Sequence, residues 1–102
     1  MVRLNWTRQA VNDLKDIADY ISKDSKRYAS LLVKRIQAKA KLLKNQPDSG
    51  RMVEEFGRKN VKELIEGNYR IIYQKVNSTQ IIILTIHHSA RKLKSKNLKS
   101  DI

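Results

Sequence analysis

The sequence predicts an α+β fold, an N-terminal helical hairpin packed on a small, mainly antiparallel curved β-sheet, and three observations carry that prediction. Up to the only proline, Pro47, apolar residues recur every three or four positions. Beyond Gly50 the period shortens to two, and Gly67-Asn68 stands as a tight two-residue turn between two such runs. The last run, Ile81 to His88, is apolar at both parities, as in a central strand buried on both faces.

The elements follow in order. Val2 to Trp6 alternates apolar and polar residues, which suits a short strand, and Thr7 stands where an N-cap belongs. Ala10, Val11, Leu14, Ile17, Ala18 and Ile21 then form one helical stripe, with Asp13, Asp16 and Asp19 on the other faces. Asp24 or Ser25 can cap a second helix, whose stripe is Tyr28, Leu32, Ile36, Ala40 and Leu43. Asn45, Gln46 and Pro47 end it. Two helices joined within a few residues fold back as a hairpin. Val61 to Glu66 and Tyr69 to Val76 are read as paired strands, Asn77 to Gln80 as a second turn, and Ile81 to His88 as the third strand.

The two-residue loop fixes the register. Glu66 pairs with Tyr69, Ile65 with Arg70, Leu64 with Ile71 and Glu63 with Ile72. Leu64, Tyr69, Ile71 and Tyr73 then face the helices, so the two tyrosines are core, as is Trp6 at the start of the first helix. Val61, Glu63, Ile65, Arg70, Ile72 and Gln74 share the other face, where Arg70 lies diagonal to Glu63 and within reach of a structural ion pair. Val61, Ile65 and Ile72 are too apolar to stay wet and mark that face as a partner-binding surface.

The chain has 102 residues, room for one domain, and carries 22 Lys and Arg against 10 acids, a net charge of +12. Residues 1–46 hold eleven bases and four acids, and residues 47–102 eleven and six, so the excess is spread over the molecule. It is densest from Ala90 onward, where Arg91, Lys92, Lys94, Lys96 and Lys99 meet only Asp101. Such a balance points to polyanions, anionic surfaces or an acidic protein as partners. Cysteine is absent, which excludes disulfide scaffolds, zinc fingers and thiol catalysis. The longest apolar run, Ile81 to Leu84, is far short of the ~18 residues of a membrane span. The N-terminus lacks a signal-peptide apolar region, so a cytoplasmic location is expected. No glycine-rich phosphate loop occurs, and no cofactor is expected. His87 and His88, adjacent on a strand, point to opposite faces and cannot jointly hold a metal ion, though either can move a proton near neutral pH.

Three blocks then form a familiar constellation. Trp6-Thr7 with Ala10, Asp13-Leu14, Ile17 and Tyr20-Ile21 is the first; Pro47, Gly50-Arg51 and Val53 are the second. Lys62-Glu63-Leu64, Gly67, Tyr69-Arg70-Ile71-Ile72-Tyr73, Ile83-Leu84 and His87 through Arg91 form the third. From about residue 4 to residue 93 they resemble the RelE/ParE family of toxins from type II toxin–antitoxin systems. That resemblance implies the fold derived above and a cognate, acidic, neighbour-encoded antitoxin, through which alone operator DNA is bound. A segment of that antitoxin is expected to cover the face of Val61, Ile65 and Ile72 or the helical hairpin. It also implies growth arrest and plasmid stabilisation, with no part for a membrane.

RelE-type relatives cut messenger RNA in the ribosomal A site, whereas ParE-type relatives poison DNA gyrase without nuclease activity. Carried onto this chain, a nuclease site would use Arg70 and Arg91, with His87 or His88 as the proton-transfer candidates. The two lysine positions of such a site fall on Val61 and Glu63, and no tyrosine or histidine follows Arg91. Glu63 beside Arg70 neutralises the arginine and repels a phosphate. The sequence is therefore read as ParE-like, a gyrase inhibitor rather than an enzyme. The alternatives are a ribosome-dependent endoribonuclease and a non-toxic antitoxin-binding or nucleic-acid-binding module. Val61, Glu63, Ile65, Arg70, Ile72, Arg91, Lys92 and Lys94 are the expected partner-binding residues. The basic tail from Ala90, with too few apolar residues to fold alone, is expected to order only against a partner.

Overall fold

The computed structural model describes residues 2–89. Strand β1 (Arg3–Trp6) leads into helices α1 (Arg8–Ser22) and α2 (Lys26–Lys41), the second extended by one 3-10 turn at Leu42–Lys44. Strands β2 (Arg51–Met52), β3 (Val61–Glu66), β4 (Tyr69–Asn77) and β5 (Gln80–His88) follow. They form one five-stranded sheet in the order β1-β5-β4-β3-β2, antiparallel throughout except for the parallel β1–β5 pair. The fold is thus two helices on a mixed sheet, with β5 in its interior as its double-faced apolar pattern requires.

Local chemistry explains the boundaries. The Thr7 hydroxyl accepts a hydrogen bond from Ala10 N at 3.0 Å and donates one to the Leu84 carbonyl at 2.8 Å. One side chain therefore caps α1 and ties it to β5. Ser25, rather than Asp24, caps α2 by accepting from Tyr28 N. Gly67 takes the left-handed φ of +58° that lets a two-residue loop turn β3 into β4. The resulting register matches every pair read from the sequence, from Glu66–Tyr69 to Glu63–Ile72. Leu84 is left unpaired between Ile72–Thr85 and Tyr73–Ile83, a bulge of the kind that bends a strand and curves a sheet.

The core has two parts. Between the helices and the sheet lie Ala10, Leu14, Leu32, Ile36, Ala40 and Leu43, packed on Ile71, Tyr73, Ile81, Ile83 and Ile86. On the far face Val61, Ile72, Ile82 and Leu84 are buried together with Val53, and Phe56 packs against them. This corrects one expectation. Val61 and Ile72 do not form an open apolar patch for a partner, because the chain's own segment between β2 and β3 folds over them. The apolar face is covered, but its cover, Val53 and Phe56, is intramolecular. Strand β2 and the direction of β1 also go beyond the sequence reading.

Candidate functional site

Glu63 on β3 is buried among two arginines. Arg70 Nε on β4 donates to Glu63 Oε1 at 2.5 Å, and Arg51 Nε on β2 donates to Glu63 Oε2 at 3.0 Å. Arg70 uses its two remaining nitrogens on Glu55, with Nη1 to Oε2 at 2.7 Å and Nη2 to Oε1 at 2.9 Å, a fork-on-fork geometry. These hydrogen bonds hold the Glu55 carboxyl at about 2, and in return the pairing raises Arg70 above its ordinary value, Glu55 contributing most and then Glu63. Around them opens a cleft of about 670 Å³, lined by Arg51, Glu54, Glu55, Glu63, Ile65, Arg70 and Ser89.

Where a ribonuclease would offer unpaired cations to a phosphate, this cleft offers two arginines matched by three glutamates. Register places His87 directly across from Arg70 on the same face. His88 points to the other face, where its ring meets Tyr69 edge-on at 5.2 Å. The structure therefore brings together Glu63, Ile65, Arg70 and His87, and buries Val61 and Ile72 beneath the segment that carries Glu55. Arg91, Lys92 and Lys94 lie outside the described residues. Glu55 went unnoticed in the sequence because it sits in an aperiodic stretch, fifteen residues from its partner.

Asp13 is a second correction. It does not lie on an outer face of α1: its carboxylate accepts from the Thr85 hydroxyl and from Ile86 N, the latter at 3.2 Å, pinning α1 beside the β5 bulge. Burial, offset in part by those bonds, pushes its carboxyl above the ordinary aspartate value.

A second concavity lies on the helical side. Leu4 and Trp6 of β1, Val11 and Leu14 of α1, and Ala38 of α2 supply apolar surface to a groove of about 690 Å³, rimmed by Lys34, Lys41 and Lys44. Lys34 and Gln37 also line the adjoining trough between α1 and α2, beside Ala18, Ala29 and Val33. Small side chains there leave the helices' outer crevice open, with Lys34 and Asp19 at its edges. An apolar floor with a cationic rim is suited to an acidic amphipathic segment. Among the described residues no three His, Cys, Asp or Glu side chains gather to hold a metal ion, and no helix is long and apolar enough to cross a membrane.

Comparison with known proteins agrees with this architecture. Residues 4–93 match the family described as the ParE toxin of the type II toxin–antitoxin system, parDE. A Sinorhizobium fredii (strain NBRC 101917 / NGR234) protein named "Putative toxin Y4kP" is 34% identical over 88 residues, spanning 85% of this chain and 88% of that protein. The solved structure described as the chromosomal ParDE TA system from P. aeruginosa superposes with a TM-score of 0.71 at 29% identity. That match covers 86% of this chain and 96% of the other. With the family pattern running through nearly every described residue, the chain belongs to the ParE toxin family of type II toxin–antitoxin systems.

Proposed function

We propose that this toxin arrests growth by poisoning DNA gyrase in the cytoplasm through protein contact, and that a cognate acidic antitoxin neutralises it. The observation that supports this over RNA cleavage is the state of Arg70. All three of its nitrogens donate to carboxylates of its own chain, Glu63 and Glu55. A phosphate approaching that guanidinium meets two carboxylates first, which works against the cationic cradle that ribose-assisted cleavage needs. The antitoxin is assigned to the groove of Trp6, Val11, Leu14 and Ala38, where lysines rim an apolar floor. This replaces Val61 and Ile72 as its seat. Operator DNA is then contacted through the antitoxin, and maintenance of a plasmid is the corresponding biological use.

The test uses one purified protein in two assays. The expected result is inhibition of gyrase supercoiling, relieved by the neighbour-encoded antitoxin, with no codon-dependent cuts in a translating extract. Cuts that disappear in Arg70→Ala would overturn the reading in favour of a ribosome-dependent nuclease.

A further inference from the structure

Helix α2 carries six cations, Lys26, Arg27, Lys34, Arg35, Lys39 and Lys41, and no acid. Two of them occupy its first turn, at the positive end of the helix dipole, where cations are unfavourable. Its core face is Ala29, Leu32, Ile36 and Ala40, and its side toward α1 is the trough of Ser30, Val33, Lys34 and Gln37. A further row remains. Tyr28, Leu31 and Leu42 are 48%, 43% and 50% exposed, and with Arg35 they recur at intervals of three, four and seven residues. They form a strip about 20 Å long, turned roughly 100° around the axis from the groove-lining Lys34, Gln37 and Lys41.

Large apolar side chains held half in water on an all-cationic helix suit a partner that is both apolar and anionic. A second copy of this chain is disfavoured, since it would set six cations against six. Nucleic acid gains little from Tyr28, Leu31 and Leu42, because a phosphate backbone offers no apolar counterpart to the strip.

We propose that the Tyr28–Leu31–Arg35–Leu42 strip is a second protein-docking surface, which takes an acidic amphipathic segment of the toxin's target while the groove on the α1 side takes the antitoxin. The assignment rests on the toxin reading above and deepens it. Because the two surfaces lie on different sides of α2, an antitoxin can seat on the toxin before the target lets go.

The experiment expresses the full chain as wild type, Leu31→Glu, Arg35→Glu and the milder Tyr28→Ala, with Lys59→Glu as a charge-matched control away from α2. Growth arrest, thermal melting, oligomeric state, duplex DNA binding and affinity for the neighbour-encoded antitoxin are read in parallel. The expected result is that each α2 variant melts as a folded monomer and loses growth arrest by about tenfold or more, while antitoxin affinity stays within about twofold. Lys59→Glu should arrest growth as the wild type does. Full arrest by folded α2 variants overturns the proposal, as does a parallel loss of antitoxin affinity, which would mean a single surface. A wild-type dimer broken by Leu31→Glu would assign the strip to a second copy. Loss of arrest with Arg35→Glu but not Leu31→Glu, tracking DNA binding, would assign it to nucleic acid. A wild-type chain that does not arrest growth sinks the toxin reading itself, and this proposal with it.

Discussion

The Tyr73 hydroxyl accepts a hydrogen bond from Gly50 N at 2.9 Å and donates one to the Pro47 carbonyl at 3.3 Å. A buried tyrosine in the main core thus reaches the backbone that leads from the helices into β2, and Gly50 leaves room for it. A Cβ built on Gly50 would lie 2.3 Å from the Tyr73 oxygen and 2.7 Å from the Glu63 carbonyl. Gly50→Ala should therefore destabilise the fold by about 2 kcal/mol through forced displacement. Tyr73→Phe, which only removes the hydroxyl, should cost about 1 kcal/mol. Denaturant melts of both variants check the order, and Gly50→Ala as the milder change would contradict the contact.

Arg70→Ala removes one partner of a buried carboxylate. The loss should be about 3 kcal/mol, the low end for an ion stripped inside a protein, because Arg51 still holds Glu63. Unfolding midpoints measure it. If Arg70→Ala melts like the wild type, the Glu63–Arg70 pair contributes nothing to the fold.

Acid should loosen the segment that covers the far face. Glu55 is held at about 2 against an ordinary 4.5, so its stabilising contribution is full above pH 4.5 and is lost as pH falls through about 2. Asp13 runs the other way: with its folded value raised, its contribution is largest below the ordinary 3.8 and declines as pH climbs through the folded value. Glu55→Gln should accordingly flatten the loss of stability between pH 4.5 and pH 2 relative to the wild type. Identical acid curves for the two proteins would show that Glu55 does not hold this segment.

Ala38→Glu places a carboxylate on the groove floor beside Lys34 and Lys41. The cognate antitoxin should then bind about tenfold more weakly, with the melting temperature nearly unchanged. Raising the salt should weaken wild-type binding as well, since the groove rim is exposed lysine. Unchanged affinity in titration calorimetry would move the antitoxin elsewhere on the molecule.

Gly67 and Asn68 made the β3–β4 register legible: a two-residue turn leaves one alignment, and the Glu63–Arg70 pairing follows from it. Thr7 was legible as a cap for the same kind of reason, a side chain acting on backbone three residues away. The second carboxylate on Arg70 was not, because Glu55 acts across fifteen residues from a stretch with no period. Val61 and Ile72 showed that their face needed cover, but periodicity cannot say that Val53 and Phe56 provide it. Asp13 has the spacing of an outer-face residue on α1, and only the bulge at Leu84 turns Thr85 and the Ile86 amide toward it. The groove was foreshadowed by the choice of the helical hairpin as an alternative antitoxin seat, yet its rim depends on how β1 lies beside α1.

The parallel pairing of β1 with β5 has a consequence for synthesis. The first strand described is completed by the last, and Thr7 reaches Leu84 across 77 positions of chain. A nascent chain that stops short of Ile81 can form its two helices and the β3–β4 hairpin, but β1 then has no neighbour and one edge of β4 is bare. The complete sheet must wait for a long-range closure, which is slow and comes late in translation. Products that stop short of Ile81 should be harmless, and the groove that β1 lines comes into being only after β5 has left the ribosome.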